Sequence, residues 1–516
     1  MRDNGVVNVG PEPLSFADVV KVARGGAAVR LTEDAVAAIA AARQRVEELA
    51  ESPVPAYGIS TGFGALATRH IDPALRAQLQ RSLVRSHAAG SGPEVETEVV
   101  RALMLLRLHT LATGHTGVRP TTAKALAGLI SAGITPIVHE YGSLGCSGDL
   151  APLAHVALAL MGEGSVRDRS GTVTSASEAL KQAGIEPVEL AAKEGLALIN
   201  GTDGMLGMLI LAIDDLTRLL KTADISAAMS VEALLGTDRV FAPELQALRP
   251  HPGQALAAAN MTKILDRSGI MASHRDPENC TRVQDAYSLR CAPQVAGAAR
   301  DTVDHAARVA TWELASAVDN PAVLADGRVE SNGNFHGAPV AYVLDFLAVV
   351  AADVASMSER RTDRFLDKAR NHGLPAFLAD DPGVDSGHMI AQYTQAAIVS
   401  EMKRLAAPAS VDSIPSSAMQ EDHVSMGWGA ARKLRRSVDG LTRVLAVEIL
   451  TAARALDLRA PLTPAPATAA VVAALRETIP GPGTDRYLAP EIESAVRLVA
   501  DGVVVSAVEA VTGPLA

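Results

Sequence analysis

Three small residues in a row, Cys146, Ser147 and Gly148, are followed by the acid Asp149 and by apolar residues at Leu150, Leu153, Val156 and Leu160. The spacing predicts a helix with Asp149 as its N-cap. The tripeptide then stands at a helix N-terminus, where backbone donors and the dipole favour developing negative charge. Gly142, Gly145 and Gly148 keep the backbone open around it. The same residues also suit an ordinary capped turn, and taken alone that is the better reading. Three more polar, glycine-rich segments could hold reactive groups on a rigid frame: 57–64 (YGISTGFG), 200–204 (NGTDG) and 331–337 (SNGNFHG).

The first of these matches two short motifs. Gly58-Ile59-Ser60-Thr61-Gly62 fits the nucleophile elbow of a serine hydrolase acting through Ser60, and Gly62-Phe63-Gly64-Ala65-Leu66-Ala67 fits a dinucleotide-binding turn. Both motifs need a preceding strand. Ser52-Pro53-Val54-Pro55-Ala56 puts two closely spaced prolines there instead, which a central strand does not tolerate. With 41 glycines in 516 residues, coincidence is the better account, and neither a serine hydrolase nor a bound nucleotide is expected.

Helices must position these loops. Val36, Ile39, Val46 and Leu49 recur at helical spacing behind Thr32, Glu33 and Asp34, and the period returns in 97–112, 205–221, 293–317, 337–360, 386–406 and 427–455. Only 165–174 and 322–330 read as small hairpins. The expected fold is mainly α, with a loop-rich N-terminal part over 1–225 and a long helical bundle over 226–516, the boundary being soft. Pro461, Pro464 and Pro466 should separate the last long helix from the next.

Composition narrows the function. The 47 Lys+Arg against 58 Asp+Glu give a net charge of −11, which argues against a nonspecific nucleic-acid binder. Cys146, Cys280 and Cys291 form no C-x-x-C pair, so neither a disulfide framework nor a cysteine-rich zinc site is expected. The N-terminus lacks a signal-like apolar stretch and no apolar run of about 18 residues is free of charge, so a cytoplasmic protein with no membrane partner is expected. The long apolar helices within 293–455 offer more apolar face than two hairpins and a few loops could cover.

The segment Gly142-Ser143-Leu144-Gly145-Cys146-Ser147-Gly148-Asp149-Leu150-Ala151-Pro152 resembles the signature of the aromatic amino acid ammonia-lyases, and within them the histidine-specific branch. Further blocks are similar to that family in the same order: Tyr57-Gly58 with Thr61-Gly62-Phe63-Gly64, Ser86-His87-Ala88-Ala89-Gly90, Lys193 through Thr202, Arg282-Val283-Gln284-Asp285 with Tyr287-Ser288-Leu289-Arg290, Gly333-Asn334-Phe335-His336, and Gln420 through Ser425. The resemblance spans about residues 57 to 425.

It implies that the amide nitrogen of Gly148 attacks the carbonyl of Cys146, and that loss of water leaves a methylidene-imidazolone electrophile with no metal required. Ser147 supplies the hydroxyl to eliminate, and Gly148 lets its nitrogen approach. No loop pairs a lysine with a phosphate cradle, so pyridoxal phosphate is not expected; Lys193 is the nearest candidate and reads equally as a structural ion-pair partner. By resemblance Tyr57 is the base for the β-proton, Tyr287 assists the electrophile or proton handling, and Arg290 holds the substrate carboxylate. Asn200 and Gln284 are suited to hydrogen-bonding that carboxylate or the ring oxygen, and Phe335 matches a position beside the electrophile. His336 and His423 receive no role.

His87 and Glu421 stand where histidine-specific relatives carry polar groups, which implies L-histidine as the amino acid substrate and trans-urocanate as product, in histidine catabolism. Phenylalanine or tyrosine ammonia-lyase and aminomutase activities are the alternatives within the fold. The resemblance also implies a homotetramer with shared sites. Cys146 replaces a frequent Ala, Ser60 an Asn, Asp203 a Gln, His388 an aromatic residue and Met419 an Asn.

Overall fold

The computed structural model describes residues 5–52, 58–62, 69–276, 280 and 283–516. The seven helices anticipated from apolar spacing are Glu33–Glu51, Thr97–Ala112, Asp203–Ala233, Ala292–Leu314, Ala338–Leu366, Met389–Leu405 and Gly427–Asp457. Thr32 caps the first of them by accepting from the Ala35 N–H. The chain between Asp457 and Pro466 is non-helical, as its prolines require, and a new helix runs from Pro466 to Arg476.

The Asp203–Ala233 helix passes the expected end at 221. Polar residues interrupt the apolar period there, yet each is buried with a partner. Asp224 takes Arg300 and Asn260, Ser230 donates to Glu448, and Glu232 accepts from Ser268 and Thr468. A paired buried polar group is compatible with a helix that its sequence alone would appear to end.

Contacts divide the chain into two units, Met1–Leu211 with Ala307–Asp345 and Pro408–Arg432, and Ala212–Ala306 with Phe346–Ala407 and Lys433–Ala516. The sequence suggested a single soft division near 225. The long helices starting at Asp203, Ala292, Ala338 and Gly427 each continue from one stretch into the next.

All described strands belong to the first unit. Ser165–Arg167 and Val173–Ser175 form one hairpin, Ala322–Val323 and Val329–Glu330 the other. Shorter pairings join Val6–Val9 to Ala28–Leu31 in parallel and Ser91–Glu94 to His139–Tyr141 antiparallel. Every residue from Val99 to Ala112 is buried in the Thr97–Ala112 helix. Its charges are met inside the unit: Arg101 donates to the Val22 carbonyl and Arg107 pairs with Asp203.

The second unit is helical. Arg361 and Glu448 form a buried ion pair at 2.5 Å, and the same guanidinium donates to the Ser288 carbonyl at 3.2 Å, which ties the short helix Tyr287–Arg290 to the longer ones. Ala338–Leu366 has the length and composition of a membrane-crossing helix, but it carries Asp345 and Asp353 and 61% of its most apolar window is buried.

Candidate active site

The tripeptide loop is clamped from two sides within the first unit. On one side Ser425 Oγ donates to the Gly145 carbonyl at 2.9 Å, Met426 N to the Leu144 carbonyl at 2.9 Å, and Trp428 Nε1 to the Glu140 carbonyl at 2.7 Å. On the other, Gly148 bridges to Gly201 and Asp149 N donates to the Gly201 carbonyl at 2.7 Å. Gly148 has φ +80°, and a Cβ there would run into the Gly201 carbonyl oxygen. Only glycine meets both conditions.

Asp149 stands at the N-cap position of Leu150–Leu160, as its place in the sequence suggested, but its side chain does not cap that helix. The carboxylate instead accepts from Gly204 N and Met205 N, both at 2.9 Å, at the start of Asp203–Ala233, and from Ser143 Oγ at 2.9 Å. Asp149 is fully buried, and burial pushes its carboxyl up to about 7 although these hydrogen bonds favour the charged form.

Asn200 lies behind Ser147. Ser147 Oγ donates to Asn200 Oδ1 at 2.5 Å, while Asn200 Nδ2 donates to Asp319 Oδ1 at 3.3 Å and to the Asn320 carbonyl at 3.0 Å. The amide was expected to serve as a donor to the substrate carboxylate or ring oxygen. Here both its N–H groups are engaged behind the loop, and it presents its oxygen to Ser147, because Asp319 and the Asn320 carbonyl can only accept.

Glu421 lies beside Cys146, and His87 lies within reach of the Glu421 charge. The Cys146 thiol is pushed up to about 12, by burial first and then by the adjacent Glu421 carboxylate, so it is a neutral thiol at physiological pH. His87 is held below the usual histidine range by burial, against the Leu83 carbonyl and the Glu421 charge. Its Nδ1 lies 2.9 Å from the Leu83 carbonyl, which fixes the proton on Nδ1 and leaves the Nε2 lone pair to accept. Glu421 is itself held by Ser416, whose Oγ donates to Oε2 at 2.9 Å and whose backbone bridges to it.

Of the remaining sites read from the sequence, Phe335 is half-buried in the first unit. Gln284, Tyr287 and Arg290 lie in the second unit, with Gln284 and Tyr287 exposed and the Arg290 guanidinium 4.7 Å over the Tyr287 ring. Tyr57 lies outside the described residues, as does Arg282. Ser60 is fully buried, which does not present its hydroxyl as a hydrolase nucleophile must. His336 and His423 stack at 5.3 Å between ring centroids.

The profile of the aromatic amino acid lyase family matches residues 14–477. The chain belongs to the aromatic amino acid lyase family. It is 68% identical to the histidine ammonia-lyase of Streptomyces griseus over 513 residues, 99% of each chain. Its fold is similar to that of a tyrosine aminomutase from Streptomyces globisporus, with TM-score 0.93, 38% identity and coverage of 99% and 100% of the two chains. A histidine ammonia-lyase from Trypanosoma cruzi gives TM-score 0.90, 36% identity and coverage of 99% and 96%. The mainly α fold expected from the sequence is the fold of this lyase family.

The tripeptide fits the prosthetic group of this lyase family. Gly148 has the positive φ and absent Cβ that let its amide turn inward, Ser147 carries a hydroxyl to lose, and the loop is clamped at Gly145 and at Gly148. No group of three or more metal-ligating residues occurs among the described residues.

Lys193 is held in a buried ion pair. It is fully buried, 2.5 Å from Asp319 and 2.8 Å from the Thr116 carbonyl. Asp203 is buried against Arg107 at 2.6 Å, and Arg107 in turn donates to the Ala197 and Asn200 carbonyls. His388 is buried with Nδ1 3.1 Å from Thr451 Oγ1, and burial with Arg454, Arg486 and Arg476 pushes it down to about 3. Met419 is exposed at φ +70° in a left-handed run with Ser417 and Ala418.

Sequence reasoning missed Asp149 as the cap of a second helix, and it missed the supports Arg107, Asp319 and Ser425. One signal was present: a charge inside an apolar run, such as Arg107 between Leu106 and Leu108, must find a partner when the run is buried.

Proposed function

We propose that this carbon–nitrogen lyase eliminates ammonia from L-histidine and releases trans-urocanate, using a methylidene-imidazolone made from Cys146, Ser147 and Gly148. The observation that carries the reading is the Glu421 carboxylate beside Cys146, with His87 within reach of its charge. An imidazole has polar edges that are costly to bury unpaired. The Glu421 carboxylate beside the tripeptide is an acceptor for a substrate N–H, and His87, near that carboxylate, offers a second acceptor at its neutral Nε2. The 68% identity to a full-length histidine ammonia-lyase supports the same substrate.

The methylidene-imidazolone supplies an electrophile that turns the substrate amine into a better leaving group. The rest falls to side chains. Glu421 accepts the imidazole N–H and orients the ring. Tyr57 removes the β-proton, which requires its phenol to be depressed from about 10. Arg290 holds the carboxylate through its two-pronged guanidinium, with Tyr287 beneath it and Gln284 adding a donor. Phe335 packs beside the electrophile. The enzyme acts as a cytoplasmic homotetramer whose sites combine loops from more than one subunit, which makes Gln284, Tyr287 and Arg290 available to the tripeptide loop.

The similarity to a tyrosine aminomutase keeps one alternative open, return of the ammonia to the β-carbon. The test is an ultraviolet time course of the purified protein with L-histidine, L-phenylalanine and L-tyrosine, alongside Ser147→Ala and with product analysis for β-amino acids. A conjugated acrylate from histidine alone, absent in the variant, is the expected result. Turnover of phenylalanine or tyrosine instead would overturn the use made of His87 and Glu421, and a β-amino acid product would make the protein a mutase.

A further inference from the structure

Lys193 and Asp319 stand 126 positions apart in sequence and 2.5 Å apart in the fold, with both side chains fully buried. Removing two charges from water costs more than their attraction returns unless the remaining hydrogen-bonding capacity is used. Here most of it is used. Lys193 Nζ also donates to the Thr116 carbonyl, and Asp319 Oδ1 accepts from Asn320 N at 2.8 Å and from Asn200 Nδ2 at 3.3 Å. Lys193 adopts φ +68°, a left-handed conformation that a residue with a Cβ keeps only when its surroundings hold it.

The consequence falls on Asn200. Its Nδ2 faces a carboxylate oxygen and a carbonyl oxygen, neither of which can donate. Turning the amide over would set oxygen against oxygen twice, so Oδ1 must face Ser147 and the Ser147 hydroxyl must donate to it. An unbroken line of contacts therefore runs from Lys193 through Asp319 and Asn200 to the hydroxyl that the proposed maturation removes.

Resting on the methylidene-imidazolone reading above, we propose that Lys193 and Asp319 are positioning residues for maturation of the tripeptide: they lock the Asn200 amide and through it the Ser147 hydroxyl. Maturation forms one bond, from Gly148 N to the Cys146 carbonyl carbon. The Cys146 oxygen leaves as water with the amide hydrogens of Gly148 and Ser147. A second water takes Ser147 Oγ with its own hydrogen and the Ser147 Cα hydrogen, leaving the methylidene. No oxidant or reductant enters. Because the hydroxyl hydrogen is committed to Asn200 Oδ1, the Oγ lone pairs stay available for the proton with which it departs.

The test is the intact and peptide mass of the full-length protein, read independently of turnover. Wild-type protein should show the peptide spanning 146–148 short by two waters. Asp319→Asn removes the charge that commits both oxygens to acceptance and frees the Asn200 amide to turn over. It should fold with wild-type circular dichroism yet mature about 10- to 100-fold more slowly in a time course after synthesis. The double variant Lys193→Met with Asp319→Leu leaves no unpaired charge and should show the same slow mass loss. Wild-type maturation rates in both folded variants would overturn the proposal while leaving the lyase reading intact. Failure of both to fold would assign the pair to stability and overturn it too. Wild-type protein that never loses the two waters would overturn the lyase reading itself.

Discussion

The Asp149 carboxylate accepts the backbone N–H of Gly204 at 2.9 Å, so the residue after the tripeptide caps a helix that begins 54 positions later. The same oxygen accepts from Met205 N. One buried carboxylate thus holds the tripeptide loop and the start of Asp203–Ala233 together.

This contact predicts a pH signature. Burial pushes Asp149 from 3.8 up to about 7, so the folded chain binds the proton more tightly than the unfolded one. The stability from that proton is complete below about pH 3.8 and is lost as pH rises through about 7. Asp149→Asn lacks it. In denaturant melts, wild-type stability relative to Asp149→Asn should fall between pH 4 and pH 8, and a constant difference would refute the assignment.

Asp203 balances a buried charge. Arg107 is fully buried and depends on it. Asp203→Gln should destabilise the protein by about 3–5 kcal/mol, the typical cost of leaving one buried charge unpaired. Urea unfolding of the variant checks this, and a loss under 1 kcal/mol would mean that the Ala197, Asn200 and Val318 carbonyls suffice for the guanidinium.

Glu421→Gln replaces an acceptor-only group with one that can also donate. Turnover of L-histidine should fall about 10- to 100-fold, the scale of one buried hydrogen bond between substrate and site, with the two-water mass deficit unchanged. Full turnover would remove Glu421 from substrate recognition.

In the proposed chemistry Cys146 contributes only its backbone to the prosthetic group. Its thiol, pushed up from 9.0 to about 12, should alkylate about a thousandfold more slowly at pH 8 than an unshifted cysteine. Cys146→Ala should still lose two waters. Rapid alkylation at this position, mapped by peptide mass, would contradict the buried environment next to Glu421.

Much of the molecule was legible before any coordinates. The apolar period of Val36, Ile39 and Val46 announced a helix, and Pro461 to Pro466 announced the end of Gly427–Asp457, because side-chain spacing and missing N–H groups act locally. His87 and Glu421 stood out in the sequence only through the blocks that resemble the family. The extension of Asp203–Ala233 past 221 was not, since Asp224 and Glu232 look like helix-ending surface positions until Arg300 and Ser268 are found against them.

By itself the sequence determined the helical class and the lyase family. Each of these depends on residue type and near-neighbour order. Tertiary structure alone decided that Asp149 caps Asp203–Ala233, that Lys193 pairs with Asp319, and that Asn200 offers Ser147 its oxygen rather than its N–H groups. A buried charge or amide takes whatever partner the packed chain brings within about 3 Å, and that partner can stand more than a hundred residues away.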